Sequence, residues 1–216
     1  MTVSHTSQDS RRERLVPLLL VLAIVALDQA TKIAIVAMVE PIYESGHIIE
    51  VFGDFLRIIH ARNPGIAFSI GRDLPVRVRT VLFTLLPLAV LAGLLWYYLR
   101  TDEFSRLQRW AVAGIIGGGA GNLIDRIARP DGVVDFIDVR FYGLFGMERW
   151  PTFNVADAAV VICGVLLITS VVLQDLAHHA ANGRGEAERQ GGEAERQSDG
   201  GAPARSAPNH DPGVRR

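Results

Sequence analysis

A mainly helical, polytopic membrane protein with four transmembrane helices is the fold class the sequence predicts, with a short β-hairpin between the first two spans. Three observations predict it. The apolar residues gather in long runs, of the order of the ~20 residues a helix needs to cross a bilayer. Two short apolar strands flank Gly53-Asp54. After Leu176 the chain turns polar and stays so to its end.

The first span is expected in Leu15 to Val39, apolar apart from Asp28-Gln29-Ala30-Thr31-Lys32. Arg11, Arg12 and Arg14 precede it, as they would a cleavable signal peptide. The run is too long for that, and no small-x-small cleavage site closes it. His47 to His60 reads as the hairpin. Val81 to Tyr98, with Pro87 inside it, is the second span. Glycine-rich Trp110 to Ile127 is the third, and Val155 to Leu173 the fourth. A loop of mixed aromatic and charged residues, 128–152, separates the last two. The chain thus divides into a short leading segment, 1–14, a membrane domain, 15–176, and a tail, 177–216.

In the tail, Gly185-Glu-Ala-Glu-Arg-Gln190 recurs as Gly192-Glu-Ala-Glu-Arg-Gln197, followed by Pro, Gly, Ser and charge. Such a segment cannot bury a core and is expected to be disordered. Four spans place both termini on one side. Which side is left open, because arginines lie in the loops at both ends of the spans.

The formal net charge is −1, so no nucleic-acid partner is implied. The single cysteine, Cys163, lies in an apolar run and reads as packing rather than as a nucleophile. No His-Glu-x-x-His occurs, and none of the six histidines lies in a span, so a zinc metalloprotease of that type is not expected.

Charged residues within spans are costly, about 2.5–3.5 kcal/mol each at mid-span, so they mark function or structural pairing. Three groups stand out. Asp28 and Lys32 are four apart and share a helix face. Either they neutralise each other structurally, or they orient a site. Lys32 is also the only lysine in the chain. The second group follows Gly117-Gly-Gly-Ala-Gly121, whose small residues allow close helix approach. It comprises Asn122, Asp125 and Arg126. Asp125 has Arg126 as its sequence neighbour and is expected to be held ionised by a nearby cation, which suits scaffold or substrate positioning rather than proton transfer.

The third group joins Val133-Val-Asp135-Phe-Ile137 in the loop to Phe153-Asn-Val-Ala-Asp157 at the start of span four. Asp135 and Asp157 both have apolar neighbours. Burial raises a carboxyl pKa, and two carboxylates sharing a site do not both ionise easily. Such a pair retains one proton near neutral pH, the state an aspartic protease uses. Helix-capping carboxylates are the structural alternative. A Ser69–Lys32 dyad fits less well, since Asp28 keeps that lysine charged.

Five stretches together resemble the lipoprotein signal peptidases, or signal peptidase II. They are Asp28-Gln-Ala-Thr-Lys32, Asn63-Pro-Gly-Ile-Ala-Phe-Ser69, Gly121-Asn-Leu-Ile-Asp-Arg126, Val133-Val-Asp-Phe-Ile137 and Phe153-Asn-Val-Ala-Asp157. They occur in the family's order, from about Leu15 to Leu173. The stretch Pro64-Gly65-Ile66-Ala67 departs from the family, which more often has Ala before Ala-Phe.

The resemblance implies four helices carrying a small extracytoplasmic β-sheet, the cradle, with both termini in the cytoplasm of a bacterial cell. It implies Asp135 and Asp157 as the catalytic pair. Asp28, Lys32, Asn63, Asn122, Asp125, Arg126 and Asn154 match residues that shape or support the site. The implied substrate is a prolipoprotein whose cysteine already carries a diacylglyceryl group, cut just before that cysteine, with no metal or organic cofactor. A monomer among membrane lipids is expected. An ion-coupled transporter using Asp28, Lys32 and Asp125 is the rival reading, though the inverted repeats it would want are not seen. A helix-packing scaffold built on Gly117 to Gly121 is another.

Overall fold

A computed structural model describes residues 12–65 and 74–199. A helical turn at 12–15 leads through Pro17 into α1, Leu18–Met38. Most of its leucines face outward: Leu19, Leu22 and Leu27 are all more than half exposed, while Asp28 and Lys32 are fully buried. That inversion is what a lipid solvent favours. The short α2, Ile42–Ser45, ends at Gly46, whose φ of 67° closes the helix in the left-handed conformation.

The expected hairpin is present as β1, Ile49–Phe52, and β2, Leu56–Asn63, antiparallel around Gly53. The sheet has a third member. β3, Val133–Val139, comes from the stretch expected to be loop and pairs antiparallel with β2, in the order β1-β2-β3. The run Val133-Val-Asp-Phe-Ile-Asp-Val139 is rich in β-branched residues, and the free edge of β2 supplies its partner.

The second span forms as α3, Val76–Thr80, a π-helical turn, Val81–Leu85, and α4, Leu86–Arg100. The π turn lies just before Pro87, whose missing N–H breaks the regular ladder there. α5, Arg106–Ala128, starts at a capping box in which Gln108 N donates to Ser105 Oγ and Ser105 N donates to Gln108 Oε1. A 3₁₀ turn, Leu144–Gly146, interrupts the loop after β3, and α6 spans Val155–Asp199.

The chain divides into two compact units at Ser170. The first unit, through Ser170, holds the sheet and the helix packing, and the second, from Val171, is helical through Asp199. The helix continues past residue 177, where the tail expected to be disordered begins. Residues 200–216 of the expected tail and 1–11 of the leading segment lie outside the described residues.

Among the described residues, three helical segments are long and apolar enough to cross a membrane, namely Arg12–Ser45, Val76–Arg100 and Val155–His179. α5, which contains the expected third span, is not among them. It is the inner helix, and its glycines take the place of bulky apolar residues. A Cβ on Gly117 would meet Val21 Cα at 3.1 Å, and one on Gly121 would meet Asp28 Oδ2 at 2.6 Å. Gly118 lies against the Ala156 carbonyl, and Gly114 against Cys163. The contacts rise together in number along α1 and α5, so the two helices run side by side in the same direction. Close backbone approach is what brings Asp28 and Lys32 within reach of α5.

Candidate active site

Asp135 sits on β3 opposite Ala61, with Asn63 paired to Val133 on the neighbouring strand. Asn63 Nδ2 donates to Asp135 Oδ2 at 3.0 Å. Gly132, with φ of 99°, lies against the Asn63 carbonyl, and a side chain there would collide with it. Asn154 stands at the start of α6 and caps it, as Asp157 N donates to Asn154 Oδ1 at 2.9 Å. In return Asn154 N donates to Asp157 Oδ2 at 3.2 Å. Asn154 Nδ2 donates to Asp135 Oδ1 at 2.7 Å. One fully buried asparagine therefore holds both carboxylates.

Asp157 Oδ1 accepts from Asn122 Nδ2 at 2.7 Å. Asn122 Oδ1 in turn accepts from Lys32 Nζ at 2.8 Å and from Asn154 Nδ2 at 3.1 Å. Lys32 Nζ also lies 2.8 Å from Asp28 Oδ2 and 3.1 Å from Asp125 Oδ2. The sole lysine is thus the centre of a buried charge cluster beneath the aspartates. Burial pushes the Asp135 carboxyl up to about 7, and the charge of Asp157 adds to the shift, while the Asn63 and Asn154 donors oppose it.

The structure places the other expected residues more exactly than sequence spacing could. Asp28 Oδ1 accepts from Ala156 N at 3.0 Å, so it anchors the first turn of α6. Asp125 Oδ2 accepts from Val134 N at 3.1 Å and anchors β3. The cation expected near Asp125 is present, as Lys32 and Arg129 in ion-pair contact rather than its sequence neighbour Arg126. Consecutive helical residues point about 100° apart, so a sequence neighbour is rarely a partner. Arg126 instead reaches the Gly65 carbonyl at 3.3 Å. Ile66 to Ser69, the rest of the Asn63 motif and the serine of the weighed dyad, lie outside the described residues.

Two contributors were not singled out from sequence. Gln29 Nε2 donates to Asp28 Oδ2, Asp125 Oδ1 and the Gly121 carbonyl, tying α1 to α5. Arg129 is the second cation on Asp125. Both had a local signal, since Gln29 lies between Asp28 and Lys32, and Arg129 is one helical turn after Asp125.

The family description "Signal peptidase (SPase) II" matches residues 20–173, which span every residue of this constellation. The chain belongs to the signal peptidase II family. A lipoprotein signal peptidase of Treponema pallidum (strain Nichols) is 50% identical over 165 residues, covering 76% of this chain and 87% of that protein. One from Treponema denticola is 42% identical over 168 residues, covering 78% and 95%. Among solved structures, a bacterial membrane enzyme determined by the in meso method at 2.3 Å aligns with a TM-score of 0.63 at 29% identity, covering 76% of this chain and 90% of that one. A second, at 1.9 Å, aligns with a TM-score of 0.60 at 27% identity, over 72% and 92%. With three apolar helices and membrane enzymes as structural neighbours, this signal peptidase II family member is a membrane protein.

Proposed function

We propose that the chain is a membrane aspartic endopeptidase that removes the signal peptide from diacylglyceryl-modified prolipoproteins, cutting just before the lipidated cysteine. The observation that carries this reading is the sharing of Asn154 by Asp135 and Asp157, with the Asp135 carboxyl held near 7. A pair of that kind carries one proton at neutral pH. The ionised member takes a proton from a bound water, which attacks the scissile carbonyl. The protonated member donates to the carbonyl oxygen. The resulting gem-diol collapses as a proton passes to the leaving amine. The proton belongs to the pair rather than to either residue.

Asn63, Asn122 and Asn154 hold the carboxylates in place through uncharged donors, which leaves the shared proton to the aspartates. Asp28, Lys32 and Asp125 support them from below, and Arg126 holds the backbone after Asn63. In this reading the chain crosses the bacterial cell membrane four times, with α5 as the third span, and the site lies at the extracytoplasmic face, as the family resemblance implies. The protein acts there as a monomer. Lipidation supplies specificity. Each buried CH₂ of an acyl chain adds about 0.8 kcal/mol of membrane affinity, so two chains hold the cleavage point at headgroup depth.

The test is incubation of the purified protein with a lipidated model prolipoprotein. Signal-peptide release is expected from the parent chain, and none from Asp135→Asn or Asp157→Asn, both still inserted in the membrane. Near-normal turnover in either variant would remove that residue from catalysis. Equal cleavage of the same substrate without its diacylglyceryl group would overturn the lipid requirement alone.

A further inference from the structure

At the opposite ends of α1 and α5 from the aspartates lies an open-sided cavity of about 380 Å³ lined by Arg12, Glu13, Val16, Pro17, Arg106 and Trp110. That volume falls within the ~300–1,000 Å³ usual for small-ligand sites. The lining divides by chemistry. Two guanidinium groups and one carboxylate give it a formal charge of +1, and Val16, Pro17 and Trp110 form an apolar wall. Neither Arg12 nor Arg106 has an ion-pair or side-chain hydrogen-bond partner among the described residues.

The arginines nearby are engaged differently. Arg14 pairs with Asp102 and Arg109 lies 3.7 Å from the same carboxylate. Even so, Arg14 Nε and Arg109 Nη1 are buried without an acceptor. This end of the molecule therefore holds more cationic donors than it has acceptors. The parallel course of α1 and α5 also brings their positive, N-terminal ends together here.

We propose that this cavity binds the phosphate of a phospholipid from the leaflet opposite the aspartates, with Arg12 and Arg106 as its ligands. A phosphodiester carries one negative charge, which matches the +1 lining, and guanidinium is the side chain best shaped to bind it. The apolar wall favours a lipid over a free anion. Leu15, Leu19 and Leu107 are 56%, 63% and 48% exposed beside the cavity on the same two helices and offer a surface for the acyl chains. Glu13 disfavours headgroups of higher negative charge. A lipid held there clamps the start of α1 to the start of α5 at the end that the aspartate cluster does not reach.

The test uses the full chain, purified and delipidated in detergent, with phosphatidylglycerol, diacylglycerol and inorganic phosphate as separate probes. Lipid retention is read by native mass spectrometry, and Tm is followed alongside. Phosphatidylglycerol is expected to bind and raise Tm, with no effect of diacylglycerol or inorganic phosphate at the same concentration. Each guanidinium removed, in Arg12→Gln and Arg106→Gln, is expected to weaken phosphatidylglycerol binding about tenfold. Arg12→Lys with Arg106→Lys should keep most of it and serves as a charge-preserving control for folding. Unchanged binding in the double glutamine variant, or equal binding of diacylglycerol, would overturn the proposal. Tight binding of inorganic phosphate alone would overturn the lipid assignment in favour of a free anion.

Discussion

The side-chain amide of Asn154 donates to Asp135 Oδ1 at 2.7 Å, across 19 positions of sequence. The same residue caps α6 and holds Asp157 through its backbone. Its two duties can be separated. Asn154→Ser keeps a good helix cap but cannot reach Asp135 as an amide does. Because the cap survives, it should lose less thermal stability than Asn154→Ala, whereas turnover should fall about a hundredfold or more. Asn154→Ala should lose both, with about 0.5–2 kcal/mol of stability gone. Parental turnover in the serine variant, measured on a lipidated substrate, would show that the amide does not organise the pair.

Lys32 faces two carboxylates, not one. Lys32→Met should therefore be severe, about 3–5 kcal/mol in thermal or denaturant unfolding, because it strands buried negative charge. Adding Asp28→Asn should recover only part of the loss. Asp125 keeps Arg129 but still lacks Lys32, so part of the stranded charge remains in the double variant. A double variant no more stable than Lys32→Met would argue that the Lys32–Asp28 pairing contributes little.

Gly121 is a matter of space. A Cβ there would sit 2.6 Å from Asp28 Oδ2 and 3.2 Å from Ala156 Cβ. Gly121→Ala should cost about 1–3 kcal/mol and displace the Asp28–Lys32 cluster. Gly164→Ala is the control, since nothing lies within 4 Å of its Cβ position and helix propensity improves by about 1 kcal/mol. Comparable unfolding temperatures for the two alanine variants would refute the close-packing account of α1 and α5.

Asp135 keeps its proton up to about 7 in the folded chain, against 3.8 for an ordinary carboxyl. Between those values the folded state binds more protons than the unfolded one, so stability should fall as pH rises through the window. Asp135→Asn should flatten that dependence in a Tm-versus-pH series. Cleavage by the parent chain should decline above about pH 7, as the pair loses its shared proton. A parental Tm that climbs steadily from about pH 4 to 7, unaltered by Asp135→Asn, would contradict the raised carboxyl.

The linear chain alone was enough to locate the apolar helices, the hairpin around Gly53-Asp54 and both aspartates, because each has a local signature. Apolar runs are long, strand residues cluster between turn residues, and a carboxylate among apolar neighbours stands out wherever it falls. Five short motifs in one order carried the family resemblance for the same reason.

Partner identity was decided by the tertiary structure. Lys32 meets Asn122 across 90 positions, and Asp28 meets Ala156 across 128. No periodicity encodes such contacts. They exist because glycines let α5 approach α1 closely, and because β3 pairs with β2 and carries Asp135 to Asn63. The pairing of Asp125 with Arg129 and Lys32 rather than with its sequence neighbour Arg126 has the same origin: a helix turns its residues to faces that only its packing neighbours define.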